Sequence, residues 1–385
     1  MTSANWNYPT AVRFGAGRIA ELAESCRAAG MKRPLLVTDP GLAGLPMTAT
    51  CLERNAADGM PTGIFSQVRA NPVGADIEVG VAAYRQGGHD GVIAFGGGAA
   101  LDAGKVIAFM SGQTRPLWDF EDVGDWWTRA DVAGIAPVVA VPTTAGTGSE
   151  VGRAGVILDE AAQLKKIIFH PRMMPLTVVL DPELTVGLPP SVTAATGMDA
   201  LSHCLEAYCA PGFHAMADGI AVEGARLVAE WLPRAWREGT DLEARGRMLT
   251  AASMGATAFQ KGLGGMHALA HPIGAVHDTH HGMTNAVLMP YVLAFNRAAI
   301  EERMARLGAY LRLRQSSFTG VLDWVLALRE ELGVPHTLAG LGVGSERAAD
   351  IAMKAAEDPS ASGNPLPFDA AAARRVFDAA LAGTI

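Results

Sequence analysis

Long apolar runs, cysteine and positive charge are what this sequence has least of. No stretch approaches the ~18 consecutive apolar residues that a membrane-spanning helix needs, so none is expected. The opening MTSANWNYPT lacks the basic stretch and apolar run of a secretory signal, so no signal peptide is expected either. The four cysteines, Cys26, Cys51, Cys204 and Cys209, show no CxxC spacing. A disulfide framework is therefore not expected, and a reducing cytoplasm is. Lys and Arg number 31 against 39 Asp and Glu, a formal net charge of −8, which argues against nucleic acid or an anionic membrane surface as partner. The 44 glycines follow no triplet period, which excludes collagen, and no internal repeat or low-complexity tract stands out.

What is present is globular in composition, with 49% hydrophobic and 18% charged residues. A chain of 385 residues exceeds one ordinary core, so two domains are expected. The first part alternates strand and helix signals. Short apolar strands are read at 33–39, 62–65, 91–95, 138–142 and 178–181, with helical stretches at 77–86 and 100–110. That alternation predicts an α/β domain, Rossmann-like, with a mostly parallel sheet. After Pro189-Pro190 strand signals nearly vanish, and alanine- and leucine-rich helical patterns run to the end. The expected organisation is an α/β domain over 1–187 and an all-helical domain over 188–385, with residues 358–365 a loop before the last helix.

Two strand-to-helix junctions carry glycine. The first, Gly96-Gly97-Gly98, is not of the GxGxxG form, yet it lets backbone approach a ligand and opens a helix whose free N–H groups suit a pyrophosphate. The second runs from Pro142 to Ser149 and sets Thr143, Thr144 and Thr147 beside Gly146 and Gly148. Loops at the carboxyl ends of strands in an open α/β sheet are where ligands bind; the bland reading is a pair of helix caps. Asp39 also ends a strand. Its carboxylate can accept from an adenosine ribose and would repel the extra phosphate of NADP, or it simply starts an Asp-Pro-Gly turn.

Five of the ten histidines, His267, His271, His277, His280 and His281, fall within one short segment. His267 and His271 are four apart, on one helical face if the helix persists to Pro272, and Asp199 and His203 form a second such pair. An aspartate among apolar neighbours is costly unless compensated. Imidazoles with a carboxylate and no thiolate suit a divalent ion of the iron or zinc type, in an open catalytic site. Spacing does not choose among the five downstream histidines.

The stretches GGGAALDAGK (96–105), VPTTAGTGSEV (141–151), LPPSVTAATGMDALSHCLEAY (188–208) and GLGGMHALAHPIGAVHDTHHGMTNAVLMP (262–290) resemble the iron-dependent (group III) alcohol dehydrogenases, and the likeness spans essentially the whole chain. It implies metal ligands at Asp199, His203, His267 and His281, Fe2+ or Zn2+ as the ion, and His271 as a proton relay near the nicotinamide. It also implies NAD preference at Asp39, a cofactor loop at Gly97, Gly98 and Asp102, and cofactor-lining roles for Thr143, Thr144, Thr147 and Lys166. Two positions depart from the family pattern. Ala99 stands where Ser is frequent, removing one hydroxyl donor to phosphate, and His280 stands where Pro often precedes the last ligand.

The implied reaction is reversible hydride transfer between a short primary alcohol and NAD, with the metal as Lewis acid. Ser149 to Arg153 and Phe259 to Gly264 look like the 4-hydroxybutyrate dehydrogenase branch, and Arg153 could pair with the acidic tail of an ω-hydroxy acid. A homodimer or larger homo-oligomer is implied by the family alone. The rival readings are a metal-dependent cyclase of the dehydroquinate synthase type, whose architecture is related, and a metal-dependent hydrolase.

Overall fold

Four short runs of Val, Ile, Leu and Ala with almost no polar interruption, at 35–37, 92–95, 138–141 and 178–180, can be satisfied only in a sheet covered on both faces. A computed structural model describes residues 10–385 and places them so. The strands are β1 (Ala11–Phe14), β2 (Leu35–Val37), β3 (Gly63–Phe65), β4 (Val92–Gly96), β5 (Val138–Pro142), the β6 (Ala154–Asp159) and β7 (Leu164–Phe169) pair, and β8 (Thr177–Leu180). Between them lie α1 (Leu22–Ala28), α2 (Pro40–Ala43), α3 (Pro46–Ala57), α4 (Gly74–Gln86) and α5 (Gly98–Met110). Six strands form one parallel sheet in the order β1-β8-β5-β4-β2-β3. Strands β6 and β7 form a separate antiparallel hairpin.

Alternation along β4 divides the core. Ile93 and Phe95 join Val139, Val141 and Val179 against Leu22, Cys26 and Cys51 of α1 and α3. Ala94 faces the other way, onto α5 at Gly104. From the adjacent strands β2 and β4 the chain proceeds in opposite directions, to β3 on one side and β5 on the other. This is the reversal point at which open α/β sheets offer a crevice.

The rest is helical: α6 (Pro190–Cys209), α7 (Ala215–Arg237), α8 (Leu242–Ala258), α9 (Gly265–His277), α10 (His281–Tyr310), α11 (Phe318–Glu331), α12 (Ala348–Glu357) and α13 (Ala370–Ala382). Helix α6 is buried on nearly every face from Thr193 onward, as an apolar sequence without an amphipathic stripe requires. Two compact units result. One holds the described residues up to Thr144 together with Gly148–Val186, and the other holds Ala145–Thr147 and Gly187–Ile385. Among the described residues no helix is long and apolar enough to cross a membrane.

The α/β sheet and the all-helical remainder are as expected from sequence, and α9 does persist through Pro272. Helices α1, α2 and α3 are additions to the sequence reading, and among the strands so are β1 and the β6–β7 pair. Strand β1 is short and largely exposed, so it carries no apolar run. The β6–β7 hairpin is half-buried and mixed in polarity, which masks its period.

Candidate metal centre and nucleotide loops

In the helical unit, Asp199 and His203 lie one turn apart on buried α6, and His267 faces them from α9. One donor atom from each lies within 4.8 Å of the others. The His203 and His267 rings stack with centroids 4.7 Å apart. His281 is the first residue of α10, and its Nε2 is 3.7 Å from Asp199 Oδ1. Gly282 allows this approach: a Cβ there would stand 2.4 Å from the Ala195 carbonyl oxygen and 2.9 Å from the Asp199 Cβ.

Electrostatics favour neutral imidazole at His203, whose burial pushes it down to about 4. Its Nδ1 is buried and makes no hydrogen bond. For His267 burial also opposes charge, but the Glu206 carboxylate beside it leaves the ring raised. His267 Nδ1 is 2.6 Å from Glu206 Oε2, and Glu206 Oε1 accepts from the Met266 N–H at 2.7 Å. A carboxylate behind an imidazole is the arrangement that orients histidine ligands. Asn285 is fully buried, and its Nδ2 donates to Asp199 Oδ1 at 2.9 Å while standing 3.2 Å from both His267 Nε2 and His281 Nε2. One carboxylate, several imidazoles and an unpartnered buried nitrogen can hold a divalent ion of the iron or zinc type.

His271 follows one turn after His267. Its ring stacks on His281 at 5.5 Å, and its Nδ1 lies 2.8 Å from Asp358 Oδ2. His280 caps α10 through a bond from the Met283 N–H and is exposed, and His277 lies at the far end of α9.

In the sheet unit, Asp39 lies two residues past the end of β2 and caps α2, accepting from the Leu42 N–H at 2.9 Å. Gly96 is the last residue of β4, with φ +145, and a Cβ there would stand 2.7 Å from the Ala100 Cβ. The turn therefore needs glycine. Asp39 Oδ2 is 3.7 Å from that same point. The Thr143 N–H donates to the Gly96 carbonyl at 3.0 Å, and Thr144 packs on Gly97, the residue before Gly98 opens α5. Asp39, Gly97, Gly98, Thr143 and Thr144 thus gather at the carboxyl ends of β2, β4 and β5. Thr147 belongs to the other unit.

Asp102 and Lys166 are engaged inside the protein. Asp102 accepts from Ser149 Oγ at 2.5 Å and the Val156 N–H at 3.0 Å, and pairs with buried Lys105 at 3.3 Å. Lys166 is held by Asp159 at 3.2 Å and Glu121 at 3.4 Å, above the Trp118 ring. The Arg153 guanidinium lies over Phe169, with Asp122 as a nearby charge. Lys261 is bound to Asp218 and the Tyr208 carbonyl.

The sequence profile of "Iron-containing alcohol dehydrogenase" matches residues 9–182, and that of the "Fe-containing alcohol dehydrogenase family, C-terminal" matches residues 193–381. The chain belongs to the iron-containing alcohol dehydrogenase family. It is 38% identical to a 4-hydroxybutyrate dehydrogenase of Cupriavidus necator, over 96% of this chain and 98% of that protein. Its fold matches a solved 1,3-propanediol oxidoreductase with TM-score 0.93 and 31% identity, covering 98% of this chain and 100% of that one. It also matches the sulfoacetaldehyde reductase of Bifidobacterium kashiwanohense, solved with NAD+, at TM-score 0.89 and 26% identity over 99% of each chain.

Within this family setting, three residues went unsignalled by sequence pattern: Glu206, Asn285 and Asp358. Glu206 was the most accessible of them. It is a second carboxylate in the same apolar helix as Asp199, so the same burial argument applies to it.

Proposed function

We propose that the protein is an NAD-dependent alcohol dehydrogenase that moves hydride reversibly between a short primary alcohol and its aldehyde. The convergence of Asp199, His203 and His267 in a chain of this family carries the reading. Asp199, His203, His267 and His281 would hold a ferrous or zinc ion, which when bound supplies Lewis acidity to the substrate oxygen. NAD supplies the hydride acceptor. Residues 1–187 serve the nucleotide and residues 188–385 the metal.

The N–H groups opening α5 at Gly97 and Gly98 receive the pyrophosphate. Asp39 accepts from the adenosine ribose, and its charge disfavours a 2′-phosphate. Thr143, Thr144, Thr147 and Lys166 line the nucleotide, while Asp102 serves from behind by fixing Ser149 and the hairpin. His271 takes the alcohol's proton and hands it to water.

The substrate class is a short ω-hydroxy acid or its semialdehyde, with Arg153 pairing the acidic tail. Two of the relatives are named for acid-tailed compounds, 4-hydroxybutyrate and sulfoacetaldehyde. The protein acts in the cytoplasm as a homodimer or larger homo-oligomer. Among the described residues β1 is an edge strand with Val12 and Phe14 exposed, which favours association through the sheet.

The test is NADH oxidation with a panel of short aldehydes, including succinic semialdehyde, after loading metal-free protein with Fe2+ or Zn2+. Metal-dependent turnover is expected. Its absence with every aldehyde, NADPH also tried, overturns the reading. Arg153→Leu is expected to weaken acid semialdehyde reduction selectively; an equal loss with neutral aldehydes removes Arg153 from the substrate site.

A further inference from the structure

The segment between α12 and α13 does more than connect them. At its end, the Asn364 side chain accepts from the Gly265 N–H at 3.1 Å and exchanges two 2.8 Å hydrogen bonds with Asn296 of α10. At its start, Asp358 Oδ2 meets His271 Nδ1 at 2.8 Å, while Oδ1 accepts from the Ser360 N–H at 2.8 Å. The segment is therefore fastened to α9 at Gly265 and again at His271. That helix also carries His267.

The Asp358 side chain is buried. With Oδ1 accepting from the Ser360 N–H and Oδ2 set against Nδ1, the Asp358 carboxylate is placed as the acceptor, so the hydrogen between the two groups sits on Nδ1. In the neutral ring the lone pair is then on Nε2.

We propose that Asp358 is a positioning residue for proton transfer, holding His271 as the Nδ1–H tautomer so that Nε2 accepts the proton of the alcohol. This rests on the dehydrogenase reading with His271 as proton acceptor. In that step the alcohol O–H bond breaks and an N–H bond forms at Nε2. The C–H electron pair leaves as hydride to NAD. Asp358 faces the resulting imidazolium without taking its proton, which then passes to water. Exchange of a buried aspartate for asparagine in a Ser-His-Asp triad damages catalysis by presenting the wrong tautomer, and the same logic applies here.

The test uses Asp358→Asn, Asp358→Ser and Asp358→Glu, each alone and combined with His271→Ala, in metal-loaded enzyme with NAD and 4-hydroxybutyrate or 1,3-propanediol. Asn and Ser keep an oxygen to cap Ser360, so the segment still folds, but Asn turns N–H toward Nδ1. The expected result is a fall in kcat of about 100-fold or more for Asn and Ser with KM little changed, the range that general acid–base catalysis supplies. Glu recovers part of the loss. With His271 already Ala, no Asp358 change lowers kcat further. In 15N spectra of histidine-labelled zinc protein, the resonance removed by His271→Ala reports a protonated Nδ1, and Asp358→Asn shifts it to the other tautomer. Wild-type kcat in Asp358→Asn, an unchanged tautomer, or an equal loss in the His271→Ala background overturns the proposal. Wild-type turnover in His271→Ala overturns the relay reading beneath it instead.

Discussion

Replacing Glu206 by Gln removes one charge and changes almost no volume, yet it should weaken metal binding strongly. Both carboxylate oxygens are in use, one on the Met266 N–H at 2.7 Å and one on His267 Nδ1 at 2.6 Å. A carboxamide has a single oxygen. If its NH2 group faces Met266, donor meets donor. If it faces His267, Nδ1 must accept, and the ring proton moves to Nε2, the atom that shares Asn285 with Asp199. A ligand nitrogen carrying a proton must lose it before it can bind metal. Losing a buried hydrogen bond to a charged group costs roughly 1.5–3 kcal/mol. Loss of an outer carboxylate typically lowers metal affinity by about 10–100-fold, which is about 1.4–2.7 kcal/mol, so the two estimates agree. The assay is zinc titration against a competing chelator, with metal content measured after dialysis. Unchanged affinity in a folded Glu206→Gln protein would refute the reasoning.

Two further outcomes follow from packing and burial. Gly282→Ala should cost about 1–3 kcal/mol in urea unfolding and also lower zinc affinity, since the added methyl meets backbone of α6 beside Asp199; an unchanged midpoint and affinity would count against this account of how α10 is seated. Burial pushes the thiols of Cys26, Cys204 and Cys209 up from 9.0 to about 12, and that of Cys51 to about 11. All four should resist Ellman's reagent at pH 8 until the chain is unfolded. Because the folded state holds these protons more tightly, their contribution to stability is complete below pH 9 and is lost as pH rises from there toward 11–12, so the melting temperature should fall across that window.

Much of the fold is legible in sequence because burial on two faces leaves uninterrupted apolar runs, as in β4 and β5. The helical half is legible for a related reason: after Pro190 no such short run recurs between turn signals. The Asp199–His203 pair is readable from local spacing, since one helix fixes both side chains. His267 is not paired with them by any local rule. It reaches Glu206 across 61 residues of chain, and His271 reaches Asp358 across 87. Asp358 stands in a polar, proline-bearing segment where one more aspartate attracts no notice. Its role depends on the strap returning to α9, which is a property of the tertiary structure alone. Strand β1 is hidden for the opposite reason, being too short and too exposed to leave a pattern.

The pairing of β1 with β8 also orders events during synthesis. Thr10 bonds to the Leu176 carbonyl across a separation of 166 residues, and Ala11 to Phe14 pair in register with Thr177 to Leu180. At translation rates of roughly 5–20 residues per second, the first strand waits on the order of 10–30 seconds for its neighbour to leave the ribosome. Until then, Val12 and Phe14 have no sheet to join. The nascent chain must therefore carry an unpaired strand through most of the making of the α/β half, and the sheet closes only when translation is about to enter the helices that hold the histidines.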